Sequence, residues 1–557
     1  MSTQIQNGNP DKDWWRGAVI YQVYPRSYQD SNGDGIGDLP GLTQRLPYIA
    51  ELGVDAVWIS PFFQSPMKDY GYDVSDYRAV DPIFGDLAAF DEMISTAHGL
   101  GLKIMIDLVL SHSSDQHEWF AESRQSKDNS RADWYVWADA KLDGSPPNNW
   151  LSIFGGPAWT WDTSRRQYYM HNFLSAQPDF NFHNLDVQNA LLDVARFWLD
   201  RGVDGFRLDT INFYFCDKQL RDNPGLPLEE RNSTIAPEVN PYNFQNHLHD
   251  KNQSENLVFL ERLRALMDEY PAVAAVGEIG DAQYGMQLLA DYTEGDARMH
   301  MCYSFEFLSG PAPDAARVQA VLAEFADKAP DSWSCWAYSN HDVVRHATRW
   351  AADSTDPQAY LRMVTALVLS MQGSVCLYQG EELALPEADI KFEDLQDPYG
   401  ITFWPEFKGR DGCRTPMPWQ QNKANAGFGD AKPWLPVPET HQALSVDQQL
   451  GQRDSMLHYY RGILALRRQH PALVSGALQG LMTDGNVLSF ERELDGQRLL
   501  CVFNFGGQAV SVSLPDTGAA SIAGTDQPAT DSGLFNRASL EGDTLTLQGL
   551  AACWLQL

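Results

Sequence analysis

Carboxylates and histidines follow short apolar runs at four places in the sequence, namely Asp107–His112, Gly205–Asp209, Val276–Glu278 and Ser339–Asp342. Such groups can hydrolyse a substrate at a bound metal ion or cleave a glycosidic bond as paired carboxyl groups. They can also form a structural network of ion pairs that does no chemistry. The spacing and order of these residues distinguish the three alternatives.

The three alternatives need different residue patterns. A hydrolytic metal site usually has closely spaced ligands such as His-Glu-X-X-His, and that pattern is absent. A structural network needs balanced charge, whereas these segments offer chiefly Arg207 against several acids. Crowded carboxylates raise the pKa of one of them, which leaves one ionised nucleophile and one protonated acid. The pattern therefore favours a carboxylate pair that cleaves glycosidic bonds with retention.

These residues need a scaffold that brings distant parts of the chain together. The first two thirds of the sequence alternate β-branched or aromatic runs with helical stretches, which predicts a parallel sheet. Eight such units predict a closed (β/α)8 barrel, in which Asp209, Glu278 and Asp342 meet at the strand ends. Arg207 precedes Asp209 by two residues, so both side chains point into the barrel and Arg207 can keep Asp209 ionised. The predicted strands are Val19–Tyr24, Ala56–Ser60, Lys103–Val109, Gly205–Leu208, Ala274–Val276, Cys302–Phe305, Trp333–Ser339 and Ser374–Tyr378.

Two segments depart from this alternation. A stretch rich in Trp, Asn, Pro and Gly predicts a small domain at residues 112–183, inserted after strand 3. Alternating strands predict a C-terminal antiparallel β-sandwich at residues 473–557. The α/β barrel is then assigned to residues 1–111 and 184–472.

Charge and cysteine content restrict the partners and the compartment. The 557 residues carry a formal net charge of −33, which disfavours nucleic acid and anionic membranes as partners. Solubility and life in a saline medium both remain explanations of this acidity. The sequence shows neither a signal peptide nor an apolar run long enough to cross a membrane, so a cytoplasmic protein is expected. Seven cysteines without a Cys-X-X-Cys pair predict reduced thiols.

The four segments become specific when they are taken in order. As DLVLSH, GFRLDTINF, VGEI and SNHD they resemble the α-amylase superfamily of glycoside hydrolases, family thirteen, in its α-glucosidase and oligo-1,6-glucosidase branch. QPDFN at 177–181 and GRDGCRTPMPW at 409–419 are similar to two further motifs of that branch. The resemblance extends from Trp14 to the end of the chain.

The resemblance implies a role for each residue of the site. Asp209 would be the nucleophile, Glu278 the general acid/base, and Asp342 the residue that grips substrate hydroxyls. Arg414 lies one short loop from Arg410, and alignment alone does not choose between the two. The residues implied around the terminal glucose are Asp69, Tyr72, His112, Arg207, His341 and Arg410. Ser111 stands where many members of the family have Asn, which weakens the inference of an amylase-type calcium site there.

A second loop is a candidate for a metal ion. From Asp30 to Asp38, oxygen-bearing side chains alternate with glycines as in the first nine positions of an EF-hand, but Gly41 stands at the twelfth position. A plain Gly/Asp turn after the first strand is the alternative. The resemblance favours a structural Ca²⁺ or Mg²⁺ and no organic cofactor. Its ligands would be Asp30, Asn32, Asp34, the Ile36 carbonyl and Asp38.

Thr210, directly after the nucleophile, bears on specificity. In this branch Val at that position tends to accompany α-1,6 cleavage, whereas Ala or Thr accompanies α-1,4 cleavage. By analogy we expect a retaining, exo-acting α-glucosidase for maltose-like and other small neutral α-glucosides, with transglucosylation as a side activity. Oligo-1,6-glucosidase, trehalose synthase and sucrose isomerase are the alternatives within the family, and a non-catalytic scaffold or sugar-binding module is disfavoured by the complete acid triad. The oligomeric state is left as monomer or dimer.

Overall fold

A computed structural model describes residues 12–303, 305–514, 520–524 and 533–557. Its centre is an eight-stranded parallel sheet in which every strand pairs with its neighbours along the chain. The first and last strands pair with each other, and a bridge between Cys302 and Ser334 closes the circle. The strands are β1 (Val19–Val23), β2 (Ala56–Ile59), β3 (Lys103–Leu108), β4 (Gly205–Leu208), β5 (Ala274–Glu278), β6 (Met301–Tyr303), β7 (Cys335–Ala337) and β8 (Ser374–Tyr378). The predicted (β/α)8 barrel is confirmed.

Each barrel strand is followed by a helix that covers the outside of the sheet. Six of these eight helices are preceded by a residue whose side chain accepts from a first-turn backbone N–H, as Asp38, Asp86 and Asn184 do. The eight helices are Leu39–Leu52, Leu87–Gly99, Leu185–Leu199, Asn256–Met267, Gly285–Thr293, Ala315–Lys328, Pro357–Val368 and Met456–Gln469. Shorter helices occur at Glu118–Ser123, His346–Ala351, Pro398–Phe403, Glu439–Ala443, Val446–Leu450 and Pro471–Ser475.

Side chains alternate between the barrel interior and the layer of helices. Trp58 and Met105 belong to the cluster that fills the interior, whereas Ile104 and Ile106 pack outward. Leu208 likewise packs outward, which leaves Arg207 pointing inward, as its position two residues before Asp209 predicts. The apolar interior thus supports the charged groups that lie above it at the strand ends.

The segment between β3 and the helix that starts at Leu185 contains the inserted structure. A three-stranded antiparallel sheet is formed by Trp137–Ala138, Gln167–Met170 and Trp159–Asp162. Its small core contains Trp150 stacked on Trp159, with ring centroids 5.9 Å apart. The sheet lies within residues 112–183, and the exact domain boundaries stay a prediction.

The C-terminal region is built from two antiparallel sheets. The larger contains β9 (Ala477–Asp484), β10 (Val487–Leu494), β11 (Gln497–Asn504), Ser521–Ile522 and Ala551–Gln556, and the smaller contains Val510–Ser513, Ala538–Glu541 and Thr544–Leu547. Val502 and Cys553 fill the space between the sheets, while Phe490 and Trp554 on the opposite face pack against the barrel helices. This alternation is typical of a sheet with two buried faces.

Two simpler predictions concern cysteines and membrane segments. All seven cysteines lie in the described part of the chain, and each is buried with a free thiol, as expected. Among the described residues, no helix has the length and apolar character needed to cross a bilayer.

Candidate active site

A cavity of about 350 Å³ opens at the carboxyl ends of the barrel strands. Most of the predicted site residues border it: Asp69, Tyr72, His112, Asp209, Thr210, Glu278, Asp342 and Arg410. Arg207 and His341 lie directly behind this wall and are fully buried. The barrel therefore brings all ten predicted residues to one place.

Arg207 connects the carboxylates at the bottom of the cavity. One terminal nitrogen lies 2.7 Å from Asp209 Oδ1 and 2.8 Å from Asp107 Oδ1, and the other lies 2.5 Å from Glu278. The Tyr303 hydroxyl accepts two further hydrogen bonds from the guanidinium, at 2.8 and 3.1 Å. One cation thus holds Asp209 and Glu278 close together in an environment from which water is largely excluded.

Thr210 bridges the same two carboxyl groups. Its backbone N–H donates to Glu278 Oε2 at 3.2 Å, and its hydroxyl donates to Asp209 Oδ2 at 3.2 Å. The Ser111 hydroxyl lies 3.2 Å from the Thr210 hydroxyl. Thr210 has φ 40°, a left-handed conformation that is unfavourable for a β-branched residue. The turn after β4 is therefore held in a strained shape by its surroundings.

Burial changes the protonation of the carboxyl pair. It raises the pKa of Glu278 to about 7, although the charge of Arg207 opposes the shift. It also raises the pKa of Asp209 to about 7, again against the charge of Arg207. Because the two groups lie close together, the charge on one favours the proton on the other. Near neutral pH the pair can hold a single proton.

Asp342 has the opposite character. Burial opposes its ionisation, but His341, Arg410 and Arg414 outweigh that effect and hold its pKa well below the usual range. Arg414 lies 2.9 Å and Arg410 lies 3.2 Å from Asp342 Oδ1, and His341 Nε2 lies 3.1 Å from Oδ2. The cavity therefore contains a permanently ionised carboxylate beside a pair that exchanges a proton.

The histidines of the site are neutral. Burial lowers the pKa of His112 to about 4, and it also lowers the pKa of His341 far below its usual value. The Tyr72 ring is stacked on His341, with 5.2 Å between centroids, and its hydroxyl lies 2.6 Å from His341 Nε2. Gln22 Nε2 lies 2.7 Å from His341 Nδ1 on the other side. The two imidazoles are thus hydrogen-bonding groups with fixed orientations.

The structure distinguishes Arg410 from Arg414. Arg410 borders the cavity and lies 2.7 Å from Asp69, while Asp397 accepts hydrogen bonds from its side chain at 2.8 and 3.1 Å. Arg414 is fully buried and reaches Asp342 from behind, where it also donates to the His341 carbonyl at 2.7 Å. Arg410 is thus the one of the two that can contact a ligand in the cavity.

Several residues of the site were not assigned from the sequence. Gln177 lies in the QPDFN motif and donates to Asp69 Oδ2 at 3.1 Å, so the motif contained a signal for it. Asp397 has no comparable signal, because it comes from a loop with no periodic pattern. Phe213 ends the GFRLDTINF motif and was likewise not assigned, whereas the other cavity residues without a sequence signal are Phe154, Phe173, Tyr399 and Phe407, and the loop residues 233–238.

The candidate cation loop is ordered by its own side chains. Asp30 accepts from the N–H groups of Gly33 and Gly35 at 2.7 and 2.9 Å, and Asp34 accepts from that of Ile36 at 2.8 Å. Asp38 caps the helix that begins at Leu39 and accepts from the Ser31 hydroxyl at 2.7 Å. The hard oxygen donors suit Ca²⁺ or Mg²⁺, yet across the ranges that the structure describes no three acidic, His or Cys side chains converge as a metal cluster. The cation stays a prediction.

The fold and the cavity define a barrel enzyme built around a buried pair of carboxyl groups. Alpha amylase, catalytic domain, is the family description that matches residues 22–476, and the chain belongs to the alpha-amylase family. The predicted glycoside hydrolase of this family is thereby confirmed.

Relatives in sequence and in structure agree with this assignment. A probable alpha-glucosidase of Rhizobium meliloti (strain 1021) is 60% identical over 91% of this chain and 92% of its own length. An oligo-1,6-glucosidase of Heyndrickxia coagulans is 34% identical over 94% of this chain and 98% of its own. The crystal structure of an alpha-glucosyl transfer enzyme, XgtA, superposes with a TM-score of 0.92 at 53% identity, covering 99% of this chain and all of the other.

Proposed function

We propose that this protein is a retaining, exo-acting α-glucosidase that releases terminal α-1,4-linked glucose from maltose-like oligosaccharides and small α-glucosides. The observation that carries the proposal is the contact of Arg207 with both Asp209 and Glu278, beside the ionised Asp342, at the bottom of one cavity. Retaining glycosidases place their two carboxyl groups about 5–5.5 Å apart, whereas inverting ones need about 6.5–9.5 Å to admit water between them. Two carboxylates held by a single guanidinium favour the shorter spacing.

The reaction follows in two steps. In the first, the Asp209 carboxylate attacks the anomeric carbon while Glu278 gives its proton to the departing glycosidic oxygen. In the second, Glu278 removes a proton from water, and the resulting hydroxide attacks the same carbon and releases Asp209. The configuration is inverted twice, so the released glucose is the α-anomer. Asp342, ionised throughout, accepts hydrogen bonds from the glucose hydroxyls.

The shape of the cavity supports exo action. Phe154 from the inserted segment packs on Tyr399, with 4.7 Å between ring centroids, and on the Arg410 guanidinium, 4.9 Å away. The backbone of Gly155 approaches Phe403 so closely that a Cβ atom there would lie 2.8 Å from the ring. The inserted segment and the loop after β8 thereby meet beside Asp69 and Arg410. A closed end at this position favours the binding of a terminal glucose over that of a unit within a longer chain.

The linkage preference rests on Thr210 and on the relatives. The closer relative is named a probable alpha-glucosidase, whereas the oligo-1,6-glucosidase shares 34% identity. Thr210 lies between the two carboxyl groups, where it can contact the leaving group. These observations favour α-1,4 over α-1,6 cleavage.

Transfer to acceptors other than water forms part of the proposal. The covalent glucosyl–Asp209 intermediate can be attacked by a sugar or alcohol hydroxyl in place of water. A structural neighbour at 53% identity is an alpha-glucosyl transfer enzyme, which supports this side activity. Trehalose synthase and sucrose isomerase would use the same residues and remain the alternatives.

The test is a substrate panel of maltose, isomaltose, sucrose and trehalose, with the products identified. We expect maltose to be hydrolysed faster than isomaltose, with glucose as the main product. Faster turnover of isomaltose would contradict the linkage preference, and conversion of maltose or sucrose mainly into an isomeric disaccharide would favour the alternatives. Asp209→Asn should abolish hydrolysis, and Asp314→Asn, at a helix N-cap that does not border the cavity, should not.

A further inference from the structure

Asn212 connects the loop that carries Asp209 with the loop that carries Glu278. Its amide oxygen accepts from the backbone N–H of Gly280 at 3.0 Å, and its amide nitrogen donates to the Gly280 carbonyl at 3.3 Å. Gly280 follows Glu278 by two residues, and Asn212 follows Asp209 by three. One side chain, only 1% exposed, thus bonds both backbone polar groups of a single residue in the other loop.

A third loop closes this connection from outside. Asn252 accepts from the Asn212 amide at 2.8 Å and donates to Asp281 at 2.8 Å, and its backbone N–H donates to the Asn212 carbonyl at 2.8 Å. Lys251, 2% exposed, donates to the Gly280 carbonyl at 2.8 Å and pairs with Asp281 at 3.2 Å. The side chains of Asn212, Lys251 and Asn252 thus connect the three loops.

The turn between the carboxylates needs such support. Thr210 adopts φ 40°, a conformation that costs on the order of 1–3 kcal/mol and persists only where the surroundings impose it. Asn256 donates to the Ile211 carbonyl at 2.8 Å, and the next residue, Asn212, is held by its own side-chain bond to Gly280. Thr210, whose backbone is strained and whose N–H bonds Glu278, is therefore positioned by the contacts of Ile211 and Asn212, the two residues that follow it.

We propose that Asn212 is a positioning residue that sets the location of the acid/base Glu278 relative to the nucleophile Asp209. It does not border the cavity, so it acts through the two loops and not on the substrate. The inference rests on the proposed α-glucosidase function and adds to it a residue on which proton delivery depends. Loss of the Asn212 amide removes the bond to the Gly280 N–H and one of the two bonds to the Gly280 carbonyl, which lets the Glu278 loop shift.

A displacement of Glu278 can be detected by comparing two substrates whose leaving groups differ in their need for a proton. Maltose needs a proton from Glu278 because its leaving group is an ordinary sugar alcohol, whereas 4-nitrophenyl α-glucoside releases a stabilised phenolate that leaves without protonation. Since a 1 Å misplacement costs about 10²-fold, we expect Asn212→Ala to lower kcat/KM for maltose about 100-fold. For 4-nitrophenyl α-glucoside the loss should be smaller by about tenfold or more, because only the nucleophile is needed.

Asn504 offers a matched control. Its buried amide also bridges backbone groups, donating to the carbonyls of Gln508 and Gln548 at 2.8 and 2.9 Å and accepting from the Gly506 N–H at 2.9 Å. It lies in β11, in the C-terminal region, away from the cavity. Asn504→Ala removes the same kinds of bond far from the proposed acid. It should therefore change kcat/KM for both substrates by the same factor, through the fraction of folded protein alone.

Each outcome is decisive. If the wild type hydrolyses neither substrate, the proposed function is wrong. If the wild type hydrolyses both and Asn212→Ala leaves the ratio of the two kcat/KM values unchanged, the positioning role is overturned. Should Asn212→Ala fail to fold, Asn212→Asp keeps the size of the side chain but loses the hydrogen bonds that the amide nitrogen donates to the Gly280 carbonyl and to Asn252. A ratio equal to that of the wild type in this second variant also overturns the proposal.

Discussion

The guanidinium of Arg207 contacts the carboxylate of Glu278 at 2.5 Å in a place where neither side chain is more than 5% exposed. The same cation contacts Asp209 and Asp107, so three acids share one positive charge. Charges buried in this way depend on one another, and removal of one partner typically costs about 3–5 kcal/mol. Burial, which a single cation shared by three acids does not offset, explains why a proton remains on the acid pair near neutral pH, and it leads to the first prediction.

Hydrolysis of maltose should fall as the pH rises through about 7. The proposed acid is Glu278, whose pKa burial raises to about 7, so the protonated form is present below that pH and lost above it. A pH profile of kcat/KM for maltose measures this limb. Glu278→Gln, which cannot give up a proton, should lower maltose turnover by about 10²–10⁴-fold. A profile that stays flat to pH 9 would rule out Glu278 as the acid.

Thr210→Val should shift specificity toward the α-1,6 linkage. The substitution keeps the branched side chain but removes the hydroxyl that bonds Asp209 and lies 3.2 Å from Ser111. We expect the ratio of kcat/KM for isomaltose to that for maltose to rise about tenfold, within the range that one small contact supplies. Thr210→Ser retains the hydroxyl and serves as the control. Equal ratios in the three proteins would remove Thr210 from the account of specificity.

Glu381, just after β8, should make the protein less stable as the pH rises. Burial raises its pKa to about 8, while Tyr460 and the Tyr378 N–H provide its hydrogen bonds at 3.1 and 3.3 Å. The unfolded chain has an ordinary Glu pKa of about 4.3, so between these values the folded state binds the extra proton. The contribution of Glu381 to the free energy of unfolding is therefore fully present below about pH 4.3 and decreases until the pH reaches about 8.

The Glu381→Gln variant keeps the shape of the side chain and removes its titratable carboxyl group. The variant should gain on the order of 5 kcal/mol over the wild type at pH 8, since each pKa unit is worth about 1.36 kcal/mol, and the gain should fall to about 1 kcal/mol at pH 5. Melting curves between pH 5 and pH 9 measure the difference. Glu393→Gln, at an exposed position of the following loop, should show a constant difference from the wild type. If Glu381→Gln behaves like this control, the buried acid is ionised in the folded state.

A cation in the loop from Asp30 to Asp38 should stabilise the fold. An ion that binds only the folded state adds about 2.7 kcal/mol at a concentration of about 100 times its Kd. Chelation with EDTA should therefore lower the Tm, and Ca²⁺ or Mg²⁺ should restore it. Asp34→Ala removes an exposed ligand and should abolish the response to EDTA. An unchanged Tm after chelation would show that the loop is a plain Gly/Asp turn.

The parts of the site that lie on strands could be predicted from the sequence. Arg207 and Asp209 share a face because strand side chains alternate, and Glu278 joins them because parallel strand ends converge. Both rules are local or topological, so they need no knowledge of loops. The inward position of Arg207 and the outward position of Leu208 follow from the first rule alone.

The parts that lie on loops could not be predicted in this way. Phe154 and Tyr399 meet across the closed end of the cavity although 245 positions separate them, and neither belongs to a periodic pattern. Asp397 pairs with Arg410 through a turn in which the backbones of Gly400 and Gly409 touch. Such contacts depend on the three-dimensional path of irregular segments, for which spacing gives no rule.

The central claim is that one buried carboxylate attacks the sugar and the other delivers the proton. The most direct test is proton NMR of the first glucose released from maltose, recorded before mutarotation equilibrates the anomers. The account predicts α-glucose from the wild type and no glucose from Asp209→Asn. Initial release of β-glucose, or hydrolysis that persists in Asp209→Asn, would contradict it.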